Sequence, residues 1–332
     1  MHPGRLLIAL GVLAVAGRAQ PSASVSGPVT GFVFDAQLGA VRPMLGIPGA
    51  AYLGAVAAPG LVAASVAPDG SAALAVRRGG ALLLYNGLRG PAPVALALSG
   101  SIAGADFFAW SADSSAAAVF SSGSGQGQML TGLPRSPVAS SAIDLSSLAG
   151  RVTALAFDGQ RLIVGVSSAE SGGIYIAGAS SGIERIAPAA SPSAIVLAGA
   201  ALYFADSQSQ QIFQVRNYAG AAAALVFASD SSISSPAGLQ VSADGQRLYV
   251  ANAGSRKLAV YDIPSQSPGQ TLDLNFTPTR LDRFGDPAVF LMNGTGQGPL
   301  YVARDGGPGK AAVYFVPSPA KPHPPKAPVR PL

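Results

Sequence analysis

The sequence predicts an all-β chain folded as a β-propeller of four-stranded antiparallel blades, with few or no helices. Three observations predict it. A unit of strand, tight turn and strand returns along the chain, with its turns at Asp69, Asp113, Asp158, Gly199, Asp244 and Asp286. The spacings between these positions are 44, 45, 41, 45 and 42 residues, close to the length of one propeller blade. Finally, no segment keeps apolar residues at i, i+3, i+4 and i+7 over a dozen positions, so long helices are not expected.

The local pattern justifies each element in turn. The clearest unit is PAGLQVSADGQRLYVANAGSRKLAVYDI (236–263). An apolar strand ends at a small residue, D-G supplies the positive φ of a tight hairpin, and two further strands follow across a polar loop. The same order is found at 61–87, 105–130, 151–178, 192–215 and 278–302. The flanking segments are five to seven residues long and rich in Val, Leu, Ile, Tyr and Phe, which suit a pleated, half-buried surface. A fourth strand follows the third at PVALALS (93–99), GIERIAP (182–188), AALVFAS (223–229) and GQTLDLN (269–275). One open sheet of more than about 20 strands would split under its own twist. A sandwich would show no long repeat, and a solenoid would show a shorter one.

Six units, near 61–99, 105–145, 151–188, 192–229, 236–275 and 278–316, predict six blades. The segment 30–56 has third- and fourth-strand character and is expected to close the ring by pairing with the last blade. Completion of a seventh blade is the alternative. The propeller domain is therefore placed at 20–316.

The two ends read differently from the body. Residues 1–19, MHPGRLLIALGVLAVAGRA, have a cationic start, an apolar run from Leu6 to Ala16 and small residues before a cut after Ala19. This is the pattern of a signal peptide, and the run is shorter than the ~20 residues that span a bilayer. No Cys follows it, so a lipid anchor is excluded. The expected location is secreted or periplasmic, without a transmembrane segment. Residues 317–332, PSPAKPHPPKAPVRPL, carry seven prolines and cannot continue a sheet, so an extended tail is expected.

Composition removes whole classes of function. The 332-residue chain is 49% hydrophobic and 11% charged, which argues against disorder of the whole. It has no Cys, hence no disulfide framework and no thiolate metal site. The net charge of +5 is terminal: without Arg5, Arg18, Lys321, Lys326 and Arg330, the body holds sixteen basic and sixteen acidic residues. With no basic stripe to displace counterions, nucleic acid is not an expected partner. The two histidines, His2 and His323, lie in the leader and the tail, so the body has no Ser-His-Asp triad and no His-ligated metal.

Two units support a family resemblance. SADGQRLYVANAGSRKLAVYDI (242–263) resembles the repeats of YVTN/YncE-like and lactonase-like propellers. PSAIVLAGAALYFADSQSQQIFQVRNY (192–218) resembles NHL-type repeats, including those of the virginiamycin B lyase group. The resemblance implies a propeller in an extracytoplasmic setting. For the lyase group it implies chemistry by histidine and acidic groups with a divalent metal.

In a propeller, the loops after the second strands gather on one face around the central channel. Here those strand ends carry Arg77-Arg78, Ser121-Ser122, Ser167-Ser168 with Glu170, Asp206-Ser207, Asn252 with Arg256, and Asn293. Arg78, Ser122, Ser168, Glu170, Asp206, Asn252, Arg256 and Asn293 are thus the candidate ligand-binding residues, as a polar ring at the channel mouth. The ordinary alternative is turn chemistry, in which Asn, Asp and Ser bond their own backbone. Glu170 and Asp206 are the carboxylates available to act as base or metal ligand. Asp69, Asp158 and Asp244 sit in D-G turns and are read as turn formers, and no calcium loop exists. SGSGQG (122–127) has no helix after it, and GGPGKAA (306–312) lacks the Ser or Thr of a phosphate loop, so neither is read as a phosphate site. Trp110 is expected to pack between blades. The expected function is binding of an envelope or extracellular protein or polymer by a monomeric, non-catalytic propeller without cofactor or metal. The alternative is a lactonase-like or lyase-like enzyme using carboxylates or a divalent metal.

Overall fold

A computed structural model describes residues 27–178, 182–220, 223–296 and 298–317. The expected leader, and the expected tail beyond Pro317, lie outside the described residues. Among the described residues there is no helix, and 28 strands form seven antiparallel sheets. Blade 1 holds β1 (Val29–Asp35), β2 (Ala40–Ile47) and β3 (Ala50–Leu53), and blade 2 holds β4 (Leu61–Val66), β5 (Ala72–Arg77), β6 (Leu82–Asn86) and β7 (Val94–Ala97). Blade 3 holds β8 (Phe107–Trp110), β9 (Ala117–Ser121), β10 (Gln126–Thr131) and an outer strand in two pieces, β11 (Val138–Ala139) and β12 (Ile143–Asp144). Blade 4 holds β13 (Arg151–Phe157), β14 (Leu162–Ser167), β15 (Gly173–Gly178) and β16 (Gly182–Pro188), and blade 5 holds β17 (Pro192–Ala198), β18 (Ala201–Asp206), β19 (Gln211–Val215) and β20 (Leu225–Ala228). Blade 6 holds β21 (Pro236–Val241), β22 (Arg247–Asn252), β23 (Lys257–Asp262) and β24 (Ser267–Asp273), and blade 7 holds β25 (Asp282–Phe284), β26 (Asp286–Leu291), β27 (Leu300–Arg304) and β28 (Ala312–Val316).

The apolar side chains show that the sheets form a ring. Successive residues of a strand point to opposite faces, so a middle strand serves two neighbours. In β18, Leu202 and Phe204 pack toward blade 4, while Tyr203 and Ala205 pack toward blade 6. There are seven inter-blade clusters, and one joins the first blade to the last: Val33, Met44 and Ala51 meet Phe284, Leu291, Val302 and Val316. A linear stack would leave that interface open. Burial falls from the middle strands to the fourth: β5, β9 and β14 are almost wholly buried, whereas β7 is exposed throughout. The first strands lie innermost, where they meet one another. Thr153 Oγ1 donates to Pro192 O (2.5 Å) and Ser193 Oγ donates to Pro236 O (2.6 Å).

Two expectations are corrected. The ring has seven blades rather than six, and residues 30–56 do not pair with the last blade. They form a sheet of their own, and blade 7 takes all four of its strands from Asp282–Val316. Among the described residues, closure is made by side-chain packing between blades 7 and 1, not by shared strands. The reason is visible in β1. Gly31 lies under the Phe284 ring, where a Cβ would come within 2.6 Å of the ring, so the two blades interlock face to face.

Among the described residues, blade 1 lacks an innermost strand, not an outermost one. The turns after second strands end at a residue whose carbonyl accepts an N–H from the link to the next blade: Gly80 O from Gly104 N, Gly125 O from Leu145 N. Gly39 O accepts from Leu61 N in the same way (2.8 Å), so β1 and β2 stand where second and third strands stand elsewhere.

Candidate functional site

The turns at the two ends of the second strands differ in chemistry. At one end sit the Asp turns, Asp-Gly at 69–70 and 244–245 and Asp-Ser at 113–114, and their carboxylates are used locally. Asp69 Oδ1 accepts Ser71 N (2.9 Å), Asp113 Oδ1 accepts Ser115 N (3.1 Å), and Asp244 Oδ1 accepts Gln246 N (3.0 Å). These are Asx turns, as their sequence implies. Hydrogen bonds from Ser111 and Ser115 hold the Asp113 carboxyl below its usual range, and Ser242 with Gln246 does the same for Asp244.

At the other end lie the sequence-predicted site residues. All eight stand at the turns between second and third strands, on one face. Three are committed to the backbone. Asp206 is buried and accepts N–H groups of Ala190 (2.9 Å), Ser191 (3.2 Å), Gln208 (2.9 Å) and Ser209 (3.4 Å). Asn252 is fully buried, accepting Ser234 N and donating to Val250 O, and Asn293 donates to Pro299 O and accepts Tyr301 N. Ser168 is held within its turn, its Oγ bonding Ser171 Oγ (3.2 Å), whereas Ser122 is exposed and only its backbone N–H is held, donating to Asp106 Oδ1 ahead of β8 (2.9 Å). Arg78, Glu170 and Arg256 have exposed side chains. The eight therefore do not converge on one point, and turn chemistry accounts for half of them. Among the described residues, no three of His, Cys, Asp and Glu come together as a metal site would require.

Two of the eight, Asp206 and Asn252, flank a polar groove that sequence reasoning did not single out. It is open, about 460 Å³, and lies between the turn after β18 and the link from blade 5 to blade 6. Gln208, Gln210 and Gln211 form one wall, and Ser229, Asp230, Ser231 and Ser234 the other. The groove is held from both sides. Asp206 fixes its first wall, as above. The second wall is pinned by Asn252 Oδ1 to Ser234 N (3.2 Å), by Ser255 Oγ to Ser232 O (2.8 Å), and by Gly254 N to Ser234 O (3.0 Å). Arg256 stands on that same turn, next to Ser255. Gln210 has φ +56, a conformation that turns the chain sharply and costs a non-glycine residue some strain.

Asp230 is the groove's one carboxylate. Tyr261 OH donates to Asp230 Oδ2 (2.6 Å), and Ser232 Oγ and N donate to Asp230 Oδ1 (2.6 and 2.9 Å). Partial burial pushes its carboxyl up, but these bonds together outweigh that, and its pKa is lowered. Burial, together with the neighbouring Asp230 carboxylate, pushes the Tyr261 phenol up. Asp230 is thus charged and Tyr261 neutral across the ordinary pH range. Nothing in the sequence pattern marks this pair, because Asp230 lies in a variable link and Tyr261 sits 31 residues away on a third strand.

No protein-family model matches the chain, and no curated protein matches it in sequence. Solved structures do match. A Bacteroides fragilis protein described as a candidate 6-phosphogluconolactonase superposes with TM-score 0.60 at 12% identity, over 90% of this chain and 98% of its own. A protein from Lactobacillus plantarum gives 0.62 at 13% identity, over 87% and 96%. The β-propeller domain of Cps50 (Swd1) from Myceliophteria thermophila gives 0.51 at 14% identity, over 81% and 94%. The likeness is one of fold. The neighbours support the expected propeller fold, and no family match supports the YVTN/YncE-like or NHL-type resemblance of the repeats.

Proposed function

We propose that the protein is an exported, non-catalytic binding propeller that holds a neutral, hydroxyl- and amide-rich envelope or extracellular polymer on the face of the second-to-third-strand turns. The observation that carries this reading is the groove lined by Gln208, Gln210, Gln211, Ser229, Ser231 and Ser234, with Asp230 as its one charge. Uncharged amides and hydroxyls donate and accept without the desolvation cost of paired charges, and so suit sugar hydroxyls or peptide groups. The body's zero net charge fits a neutral ligand in the same way.

The test is co-sedimentation of purified protein with insoluble cell-wall polysaccharide and peptidoglycan. Saturable binding is expected, and a Gln208→Ala/Gln210→Ala variant should bind at least ~5-fold more weakly, the loss of one to two hydrogen bonds. Equal binding by the variant overturns the assignment of the groove. Export is tested by fractionating cells that express the full chain; retention in the cytoplasm overturns that part.

A second reading rests on the Bacteroides fragilis neighbour and its description as a lactonase. It would place a lactone near the channel mouth, with Glu170 or Asp206 as the acting carboxylate. Both oxygens of Asp206 already accept backbone N–H groups, which leaves Glu170 as the carboxylate to vary. Hydrolysis of 6-phosphogluconolactone above the uncatalysed rate, abolished by Glu170→Gln, would replace the binding reading.

A further inference from the structure

The outer wall of blade 2 carries a strand edge shaped to pair with a second copy of itself. All four residues of β7 are exposed, Val94 at 65% and Leu96 at 43%. Beside them lies an open groove of about 380 Å³, between Leu96–Ser99 and Ser136–Ala139, with no charged residue in its lining. It opens where the outer strand of blade 3 is reduced to the two-residue pieces β11 and β12. On its far side stands Val138, 61% exposed.

The backbone of β7 sets which groups face out. Leu98 N donates to Leu82 O (3.2 Å), so the even-numbered residues of this strand turn their N–H and C=O toward β6. The register is unbroken, with Val94 opposite Asn86, Ala95 opposite Tyr85, Leu96 opposite Leu84 and Ala97 opposite Leu83. Ala95 and Ala97 therefore turn their N–H and C=O outward, past side chains too small to shield them. The side chains alternate as well. Leu84 packs with Val119 and Leu130 of blade 3, so Leu96 and Val94 lie on that same face, beside the groove.

Exposed edges are ordinarily protected against pairing with another chain. Here β16 carries Glu184 and Arg185, β24 carries Pro268 and Asp273, and these two strands and β20 all pair with a register shift. Val94–Ala97 carry no charge and no proline, and pair without a shift.

We propose that two copies of the chain associate through β7, paired antiparallel about a two-fold axis at Ala95, so that two four-stranded blades become one eight-stranded sheet. Ala95 exchanges both backbone hydrogen bonds with Ala95 of the second copy, and Val94 stands opposite the second copy's Leu96, over the groove. An antiparallel pair of identical strands is self-complementary, as closed two-fold association requires. Covering β7 and the groove wall removes about 500 Å² per copy, about 1,000 Å² in all, which reaches the threshold of a specific interface. The pairing puts a dimer in place of the monomer expected from the sequence.

The experiment is sedimentation equilibrium of the full chain over about 1–100 μM, beside its Ala95→Lys and Ala95→Pro variants. Lysine sets like charges face to face at the axis, and proline removes the outward N–H while leaving the bonds to β6 in place. The unaltered chain is expected to pass from one chain to two across this range. Each variant is expected to associate at least ~10-fold more weakly, with its far-UV circular dichroism unchanged. A chain that stays monomeric at every concentration overturns the proposal and leaves the edge to a partner of another kind. Equal association of chain and variants also overturns it. A second measurement uses the lack of cysteine in the chain. Ala95 faces its own copy as a hydrogen-bonded pair, with Cα atoms about 5.5 Å apart, within reach of a disulfide. Oxidised Ala95→Cys is expected to give a covalent dimer, and Val94→Cys, offset from its copy by two residues along the strand, none. Equal cross-linking of the two overturns the proposal.

Discussion

Blades 1 and 5 share one turn and use it differently. Asp35 and Asp206 each fold the turn after the second-position strand by accepting two N–H groups with one oxygen. The rest of the carboxylate diverges. Asp206 also accepts Ala190 N and Ser191 N from the link that precedes its inner strand. Asp35 Oδ2 instead takes the Arg42 guanidinium (3.1 Å), whose other nitrogens donate to Gly54 O (2.8 Å) and Leu53 O (3.2 Å). A blade in mid-chain has a preceding link to tie down. In blade 1 the corresponding oxygen goes to a buried ion pair with Arg42. The same residue type at the same position thus holds the chain ahead of it in one blade and the sheet beside it in the other.

The sharpest way to break this comparison is to remove the partner that only blade 1 has. Arg42→Ala leaves Asp35 as a buried charge and strips two carbonyls of their donor, and should lower unfolding free energy in urea by about 3–5 kcal/mol. Asp206→Ala leaves four N–H groups near the surface and should cost less, about 2–3 kcal/mol by the same measurement. If the order were reversed, the buried pair would not be the main anchor of blade 1. Gly31→Ala drives a methyl into the Phe284 ring at the blade 7–blade 1 interface and should cost about 1–3 kcal/mol, read as a fall in the urea midpoint. The matching position in blade 5 is Leu202, which fills the interface with blade 4, whereas at Gly31 the Phe284 ring of blade 7 takes that space.

Arg89 tests the ring closure more gently. From blade 2 its guanidinium donates to Asp69 O (2.8 Å), to Val29 O of blade 1 (3.2 Å) and to Gly285 O of blade 7 (3.2 Å). These bonds are exposed, and Arg89→Ala should cost only about 1 kcal/mol, with early exchange confined to blades 1, 2 and 7.

The smallest effects at neutral pH come from titration. The carboxyls of Asp230, Asp244 and Asp305 are lowered by their hydrogen bonds, with the Arg247 guanidinium adding to this at Asp244 and Asp305, so their contribution is complete above the ordinary Asp range. It is lost as pH falls through the lowered values, so stability should decline below about pH 4. The raised phenols of Tyr249 and Tyr261 work in the other direction. Their contribution is present below about pH 10 and is lost as pH rises further. A Tm that stayed flat across both limbs would show that these groups see the same surroundings folded and unfolded.

Much of the architecture was legible because turns announce themselves. D-G and its variants occupy the ends of first strands with a spacing that packing does not disturb, and alternation of apolar residues supplied the strands. The seventh blade was harder to see because no D-G turn marks it, and its likeness to blade 5 lies in FVFDAQLG (32–39), which corresponds to YFADSQSQ (203–210). The candidate ring was legible as a position but not as a role. Asp206, Asn252 and Asn293 look the same in sequence whether they face a ligand or their own backbone, and burial alone separates the two. The groove was illegible, since Gln208 and Asp230 are brought together by two neighbouring loops, with Tyr261 reaching in from a third strand.

The sequence by itself determined the strands, their turns and the period, because these depend on residues within a few positions of one another. The tertiary structure decided the number of blades, the way the ring closes and which polar groups remain available. Those depend on contacts between residues as far apart as Gly31 and Phe284, and a polar side chain's role is set by whether a distant backbone has already taken its hydrogen bonds.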